Sequence, residues 1–388
     1  MIRDPETFSA LLDTISRFVR ERLIPREREV VDTDEIPSDI LDEMRRMGLF
    51  GLTIPEEYGG LGLTMEEEVR VAMAVCKASP AFRSIMGTNT GIGSVGIVLD
   101  GTEAQKKKYL PRLATGELIG SFALTEPGSG SDAGSLTTSA RRDGGHYMLN
   151  GAKRYITNAP EAGIFTVMAR TDPASKGAGG VSAFIVERDS PGLSVGPPDR
   201  KMGQRGAHTA DVIFEDVRVP AENLIGGVEG VGFKTAMKVL DKARLNIAAV
   251  SIGAATRVQE EALAYALERK QFGQVIGEFQ LVQAMLADSQ TEIYAARSMT
   301  LDAARKRDEG DAITMEASCC KLFASEMVCR VADRAVQIHG GAGYMQDYAV
   351  ERFYRDVRLF RLFEGTSQIQ QLVIARHLLK RARELQPL

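Results

Sequence analysis

Three textures of hydrophobic and polar spacing follow one another along the chain. Up to about Gly116, apolar positions recur every three or four residues, as at Phe8, Leu11, Ile15 and Phe18. That period predicts amphipathic helices. Thr64 with Glu67 and Thr102 with Gln105 read as capping boxes, Gly48 and Gly116 as helix stops, and Pro25 and Pro37 as punctuation. From Ile119 the apolar runs shorten. Tyr147–Leu149, Phe165–Ala169, Ser182–Val186 and Ala210–Phe214 have strand character, separated by turn pairs such as Asp143-Gly144, Asn150-Gly151 and Pro191-Gly192. From about Gly230 long helical periods return, through Leu240–Glu268, Phe279–Arg305, Ala312–Ile338 and Ser367–Ala382, with breaks at Gly273, Gly310 and Gly340–Gly343.

The pattern predicts an α+β chain of three domains. A helical domain covers 1–118, a small β-barrel or sandwich covers 119–229, and a four-helix bundle covers 230–388. No long helices separate the central strands, so a doubly wound parallel sheet is excluded.

Composition narrows the function classes. Hydrophobic residues make up 44% and charged residues 26% of the 388, with a net charge of −4, so no basic footprint for nucleic acid is present. No apolar run is long enough to span a bilayer. Met1–Pro25 carries acids throughout, unlike a signal or transit peptide, and a cytoplasmic protein is expected. The cysteines (Cys76, Cys319, Cys320, Cys329) form no CxxC and the four histidines no i, i+4 pair, so neither a disulfide framework nor a metal site is expected.

Chemistry concentrates in a few segments. In Leu359–Gln370, LFRLFEGTSQIQ, Glu364 stands between Phe363 and the Gly365-Thr366 pair, ahead of a helical pattern. Phe363 can exclude water and disfavour the charged carboxylate, and the coming helix offers free N–H groups. This reads as a general base beside a ligand cradle, with Gly365 leaving its backbone open to close approach. An acid complementing a helix dipole is the competing reading for Glu364 taken alone. Phe122–Asp132, FALTEPGSGSD, begins as a strand and ends in a loop of small and hydroxyl residues. Thr125 offers a hydroxyl there, and Gly128, Gly130 and Ser131 offer backbone N–H groups that suit a polar ring edge or a phosphate. Tyr155-Ile156-Thr157 adds an aromatic face and another hydroxyl. RKQFG (Arg269–Gly273) and AVQIHGGAGY (Ala335–Tyr344) end two long helices, each pairing a polar side chain with glycines. Gly91–Gly96, GIGSVG, matches a dinucleotide fingerprint in letters only. No strand precedes it, so its glycines read as close helix packing.

In this order, FALTEPGSGSD, RYITN, ERKQFG, AVQIHGGAGY and FEGTSQIQ resemble the acyl-CoA dehydrogenase family, and QKKKYLPRLATGEL extends the likeness towards the N-terminus. The resemblance implies FAD as cofactor, an acyl-CoA thioester as substrate and an electron-transfer flavoprotein as acceptor. It implies Phe122, Leu124, Thr125, Tyr155 and Thr157 around the flavin ring, Gly130 and Ser131 where flavin and CoA meet, and Thr366 and Gln368 on FAD. Arg269, Phe272, Gln337 and Gly341 match positions that reach the FAD of a neighbouring subunit, which implies a homotetramer built as a dimer of dimers. Asp241 and Arg244 match positions near the CoA chain, Gly365 lies on the substrate side, and Glu364 matches the base that removes the α-proton. The thioester oxygen would be held by the backbone N–H of that base and a ribityl hydroxyl, with hydride passing to flavin N5. Two departures stand out. Tyr155 replaces a frequent tryptophan, and Ala243 occupies the alternative place where some relatives carry the base.

Arg83, in AFRSIMGTNT, is the clue to the acyl group. Fatty-acyl members usually have a small or apolar residue there, whereas glutaryl-CoA dehydrogenase and a related desulfinase have arginine. An arginine in an apolar pocket needs an anion, which a distal substrate carboxylate would supply. A protein acid pairing with Arg83 is the other reading, and would leave an ordinary short-, medium- or branched-chain substrate. Glutaryl enzymes have a serine four residues later where this chain has Gly87, so decarboxylation is not implied. A flavin monooxygenase, a desulfinase or a non-catalytic acyl-CoA-binding protein on the same fold are the rivals, and Glu364 argues against them.

Overall fold

A computed structural model describes residues 1–175 and 177–385. Seven helices open the chain: α1 (Pro5–Phe18), α2 (Glu27–Thr33), α3 (Ser38–Arg46), α4 (Met65–Val75), α5 (Pro80–Thr88), α6 (Val95–Asp100) and α7 (Glu103–Thr115). Both capping boxes form, at Thr64 with Glu67 and at Thr102 with Gln105, and Gly116 ends α7 with φ +72°. The N-terminal helix is less regular than its period predicts. After Phe18 the turns widen over Val19–Leu23 and tighten over Ile24–Arg26, where Pro25 has no N–H to give.

The central sheet runs β1 (Gly120–Ala123), β2 (Ser139–Asp143), β3 (His146–Thr157), β4 (Ile164–Arg170), β5 (Val181–Glu187), β6 (Leu193–Val195) and β7 (Thr209–Pro220). Its order is β1-β4-β2-β3-β7-β6, with β5 on β4, and most pairings are antiparallel. Sequence periodicity found the centres of four strands and missed β2 and β6. β2 is mostly exposed and polar, and β6 has three residues, so neither carries an apolar run. β4 and β5 are buried on both faces. Met168, Val181, Ala183 and Ile185 meet helices on one side, and Phe165, Val167, Phe184 and Val186 pack inside the curled sheet on the other.

The C-terminal bundle comprises α8 (Gly232–Glu268), α9 (Gln280–Asp308), α10 (Thr314–His339), α11 (Ala349–Asp356) and α12 (Ser367–Leu385). α8 begins eight residues before its predicted start and, at 37 residues, is about 55 Å long. α10 packs extensively on α8 and also meets α9 and α12. The bundle core also takes in Met65, Val69, Ala72 and Cys76 from α4. RKQFG does not simply end a helix. After α8 it forms a small hairpin, β8 (Lys270–Gln271) and β9 (Gln274–Val275), with Phe272 and Gly273 at φ +51° and +84° in its turn. Two successive positive φ values suit the twist of a two-residue hairpin loop. Among the described residues, no helix is long and apolar enough to cross a membrane, and no cluster of three or more metal-ligating side chains occurs.

GIGSVG lies across a kinked helical segment and the start of α6, with no strand before it. Only Gly93 packs tightly, since a Cβ there would come 2.8 Å from the Gly120 backbone; Gly91 and Gly96 have room. The close-packing reading therefore holds for one of the three glycines.

Candidate active site

A cleft opens between α5, the 201–209 segment, α8 and the loop before α12. Its walls include Arg83, Gly87, Thr157, Lys201, Gln204, Ala243, Asn246, Phe363 and Glu364. Among these wall residues Glu364 is the sole carboxylate, and Arg83 and Lys201 are the cations. Burial pushes the Glu364 carboxyl above its ordinary range, against the opposing pull of Arg83, Lys321 and Arg244. Phe363 stacks on Phe360 with ring centres 5.7 Å apart and fixes one flank of the loop.

The backbone at Glu364 is strained. Glu364 has φ +53° and Gly365 has φ +89°. A non-glycine residue in that region persists where its surroundings over-determine it. Two buried side chains do so. Lys321 Nζ donates to the Gly365 carbonyl at 2.7 Å, and Gln370 Nε2 donates to the carbonyls of Glu364 and Gly365 at 3.1 and 2.9 Å. The absent side chain of Gly365 therefore admits the Gln370 amide, since a Cβ there would lie 2.6 Å from its nitrogen. The close approach expected at the Gly365 backbone is thus made by a side chain of the protein. Thr366 caps α12, its hydroxyl accepting from the Ile369 N–H at 3.2 Å.

Arg83 has no hydrogen-bond or ion-pair partner among the described residues. A Cβ at Gly87 would come 2.4 Å from Arg83 Nε, so glycine at that position gives the guanidinium its room. Asp241 and Arg244 pair at 2.6 Å, with Thr314 also donating to Asp241 at 2.8 Å; neither lines the cleft. Arg244 Nε is buried and unpartnered among the described residues.

The ends of β1 and β3 are clipped together. Arg154 N–H donates to the Thr125 carbonyl at 2.8 Å, Ser121 Oγ to the Thr157 carbonyl at 2.5 Å, and Lys153 Nζ to the Leu124 carbonyl at 3.0 Å. This gathers Phe122, Leu124, Thr125, Tyr155 and Thr157. Tyr155 is 59% exposed and also has positive φ, at +58°, with the Arg154 guanidinium over its ring. Beyond Glu126 the loop is open, and a Cβ at Gly128 or Gly130 would meet nothing within 4 Å; Ser131 is exposed. Exposed hydroxyls, an aromatic face and open backbone suit a planar, polar-edged cofactor such as a flavin.

Arg269, Phe272, Gln337 and Gly341 lie at the far end of the bundle, away from the cleft. There the ends of α8 and α10 adjoin, with Tyr265 stacked on His339 at 4.2 Å. All four residues are exposed, and Phe272 is 93% exposed. Gln368 is exposed as well.

Models of the acyl-CoA dehydrogenase N-terminal, middle and C-terminal domains match residues 5–117, 121–217 and 230–379. The chain belongs to the acyl-CoA dehydrogenase family. It is 44% identical to a probable acyl-CoA dehydrogenase of Bacillus subtilis, covering 95% of this chain and 97% of that one. It is 46% identical to the CarC subunit of the caffeyl-CoA reductase–Etf complex of Acetobacterium woodii, covering 91% and 93%. The butyryl-CoA dehydrogenase structure from Megasphaera elsdenii superimposes with a TM-score of 0.94 at 35% identity, covering 98% of this chain and all of that one. As a member of the family, the chain is an FAD-dependent oxidoreductase acting on CH–CH bonds, with the three-part helix–sheet–bundle fold.

Sequence reading missed Lys321, Gln370, Lys201, Gln204 and Asn246. Lys321 had a signal, because it falls on the apolar face of α10 with Ala317, Ala324 and Val328. A lysine at a core-facing position is rarely idle. The others sit in polar or mixed stretches and carry no such mark.

Proposed function

We propose that this acyl-CoA dehydrogenase desaturates a short acyl-CoA bearing a distal anion to the trans-2-enoyl thioester, with Glu364 removing the α-proton. The observation that carries the reading is Glu364 itself, a half-buried carboxylate of raised proton affinity lining the cleft from a strained, tethered loop. Phe363 and Leu359 exclude water from it. The Glu364 N–H polarises the thioester oxygen as the α C–H bond weakens. Bound FAD supplies the acceptor for the β-hydride. Phe122, Leu124, Thr125, Tyr155, Thr157, Gly130 and Ser131 hold the ring side of that group, and Thr366 and Gln368 another part. Asp241 and Arg244 lie towards the CoA chain. Electrons leave to an electron-transfer flavoprotein, a partner in keeping with the relative from an Etf complex.

Arg83 anchors the distal carboxylate in this reading. It has no protein acid as partner among the described residues, and Gly87 gives it space. Arg83→Leu is expected to lower kcat/KM for glutaryl-CoA roughly 100-fold while leaving butyryl-CoA within a few-fold. Steady-state assays with a dye acceptor check this; equal losses on both substrates would make Arg83 structural.

A second reading runs the same residues in reverse, and the likeness to a caffeyl-CoA reductase subunit favours weighing it. Protonated Glu364 would then deliver the α-proton to an enoyl-CoA. An anaerobic titration separates the two. Bleaching of the yellow protein by saturated acyl-CoA favours desaturation, and recolouring of the reduced protein by enoyl-CoA alone favours reduction.

The assembly we propose is a homotetramer in which Arg269, Phe272, Gln337 and Gly341 meet the FAD of a neighbour. Phe272, Leu267, Leu281 and Tyr344 are large side chains left exposed. Sedimentation is expected to give four times the 42.2 kDa chain, and Phe272→Asp to give smaller species that lose flavin. A monomeric wild type would remove the cross-subunit role.

A further inference from the structure

Lys321 is a fully buried lysine without an ion pair among the described residues. It stands on α10, behind the loop that carries Glu364. Among the described residues its one hydrogen bond goes to the Gly365 carbonyl. A buried ammonium that reaches a neutral carbonyl and no carboxylate is costly, so the fold retains it against a desolvation penalty. Burial pushes the ammonium down to about 8, opposed by the nearby charges of Glu364 and Glu326. It is charged below that value.

We infer that Lys321 is a positioning residue for Glu364, holding the left-handed Glu364–Gly365 turn through the Gly365 carbonyl and placing a positive charge behind the carboxylate. Two observations support it independently. The tether geometry accounts for a non-glycine residue at positive φ, and Gln370 shares that duty from α12. The charge set opposes the upward push of burial on that carboxyl. Arg83 on α5, Arg244 on α8 and Lys321 on α10 all pull its proton affinity down. Arg244 is paired with Asp241, and Arg83 lines the cleft itself from α5. Lys321 therefore remains as the cation with no ionic partner behind the base. Glu326, the other acid near it, is occupied by Arg361 at 2.7 Å and Ser367 at 2.6 Å.

The inference rests on Glu364 as the base, and its test reads Glu364 without turnover. The protonated carboxyl band of Glu364 is assigned in the infrared spectrum by its loss in Glu364→Gln, then titrated against pH in wild type, Lys321→Gln and Lys321→Met. Lys321→Gln keeps a hydrogen-bond donor and removes the charge; Lys321→Met removes both. Both are expected to raise the Glu364 titration midpoint by about one pH unit, a tenfold change in the protonation equilibrium. The acid limb of kcat/KM should move by the same amount, with kcat falling further in Lys321→Met. A midpoint unchanged in both folded, flavin-replete variants overturns the inference. So does failure of even Lys321→Gln to fold, which would assign Lys321 to the bundle core. If Glu364 is not the base, the infrared midpoint still moves while the rate profile does not.

Discussion

Glu364→Gln is expected to lower turnover at least about 1,000-fold while FAD stays bound. The amide is nearly isosteric, so the loop keeps its shape and its tethers from Lys321 and Gln370. What it loses is the lone pair that accepts the α-proton. The wild type should also show where that lone pair becomes available. Burial raises the Glu364 carboxyl above its ordinary value, so kcat/KM should fall as pH drops through that raised value and be flat above it. Flavin content, read from absorbance, separates lost chemistry from lost cofactor. Near-normal turnover in flavin-replete Glu364→Gln would move the base elsewhere, and Ala243 offers no carboxylate at the alternative place.

Lys153→Met is expected to destabilise the protein by about 3 kcal/mol and to weaken flavin retention. Lys153 and Glu126 form a buried pair at 2.8 Å, 0% and 4% exposed. Removing the lysine leaves a buried carboxylate with its donors from Thr137 and Thr138 but no counter-charge. Burial opposes the ionised form of Glu126, yet the Lys153 ammonium and these hydrogen bonds hold it down to about 2. Its contribution is therefore present in full above the ordinary carboxylate value of 4.5, up to the region near 8 where burial deprotonates Lys153, and is lost as pH falls towards 2. The change also releases the Leu124 carbonyl, which Lys153 holds beside the residues proposed to take the flavin. Urea unfolding and flavin release check both parts. Stability within about 0.5 kcal/mol of wild type would mean the pair is replaceable.

The long helices were legible because a 3.6-residue period sustained over about five turns or more leaves little ambiguity, and α10 and α12 start within two residues of expectation. The sheet was legible only where strands bury apolar runs. The ends of β3 and β7 are half-polar because they form bulges and edges, as at Tyr155 and Lys153, so their length was not visible. The carboxylate and its glycine stood out in one dimension. Their tethers did not, because Lys321 lies 43 residues earlier and on another helix. Arg83 and Gly87 were both noticed, but their steric relation follows from the turn of α5 and not from either residue alone.

The left-handed turn at Glu364 is held by the protein's own side chains, Lys321 from α10 and Gln370 from α12. Its cost is met once, when α10 and α12 come together, and is not incurred again at each catalytic cycle. Acyl-CoA binding energy is then free to act on the substrate, and the rate should depend little on solvent viscosity at the proton-transfer step.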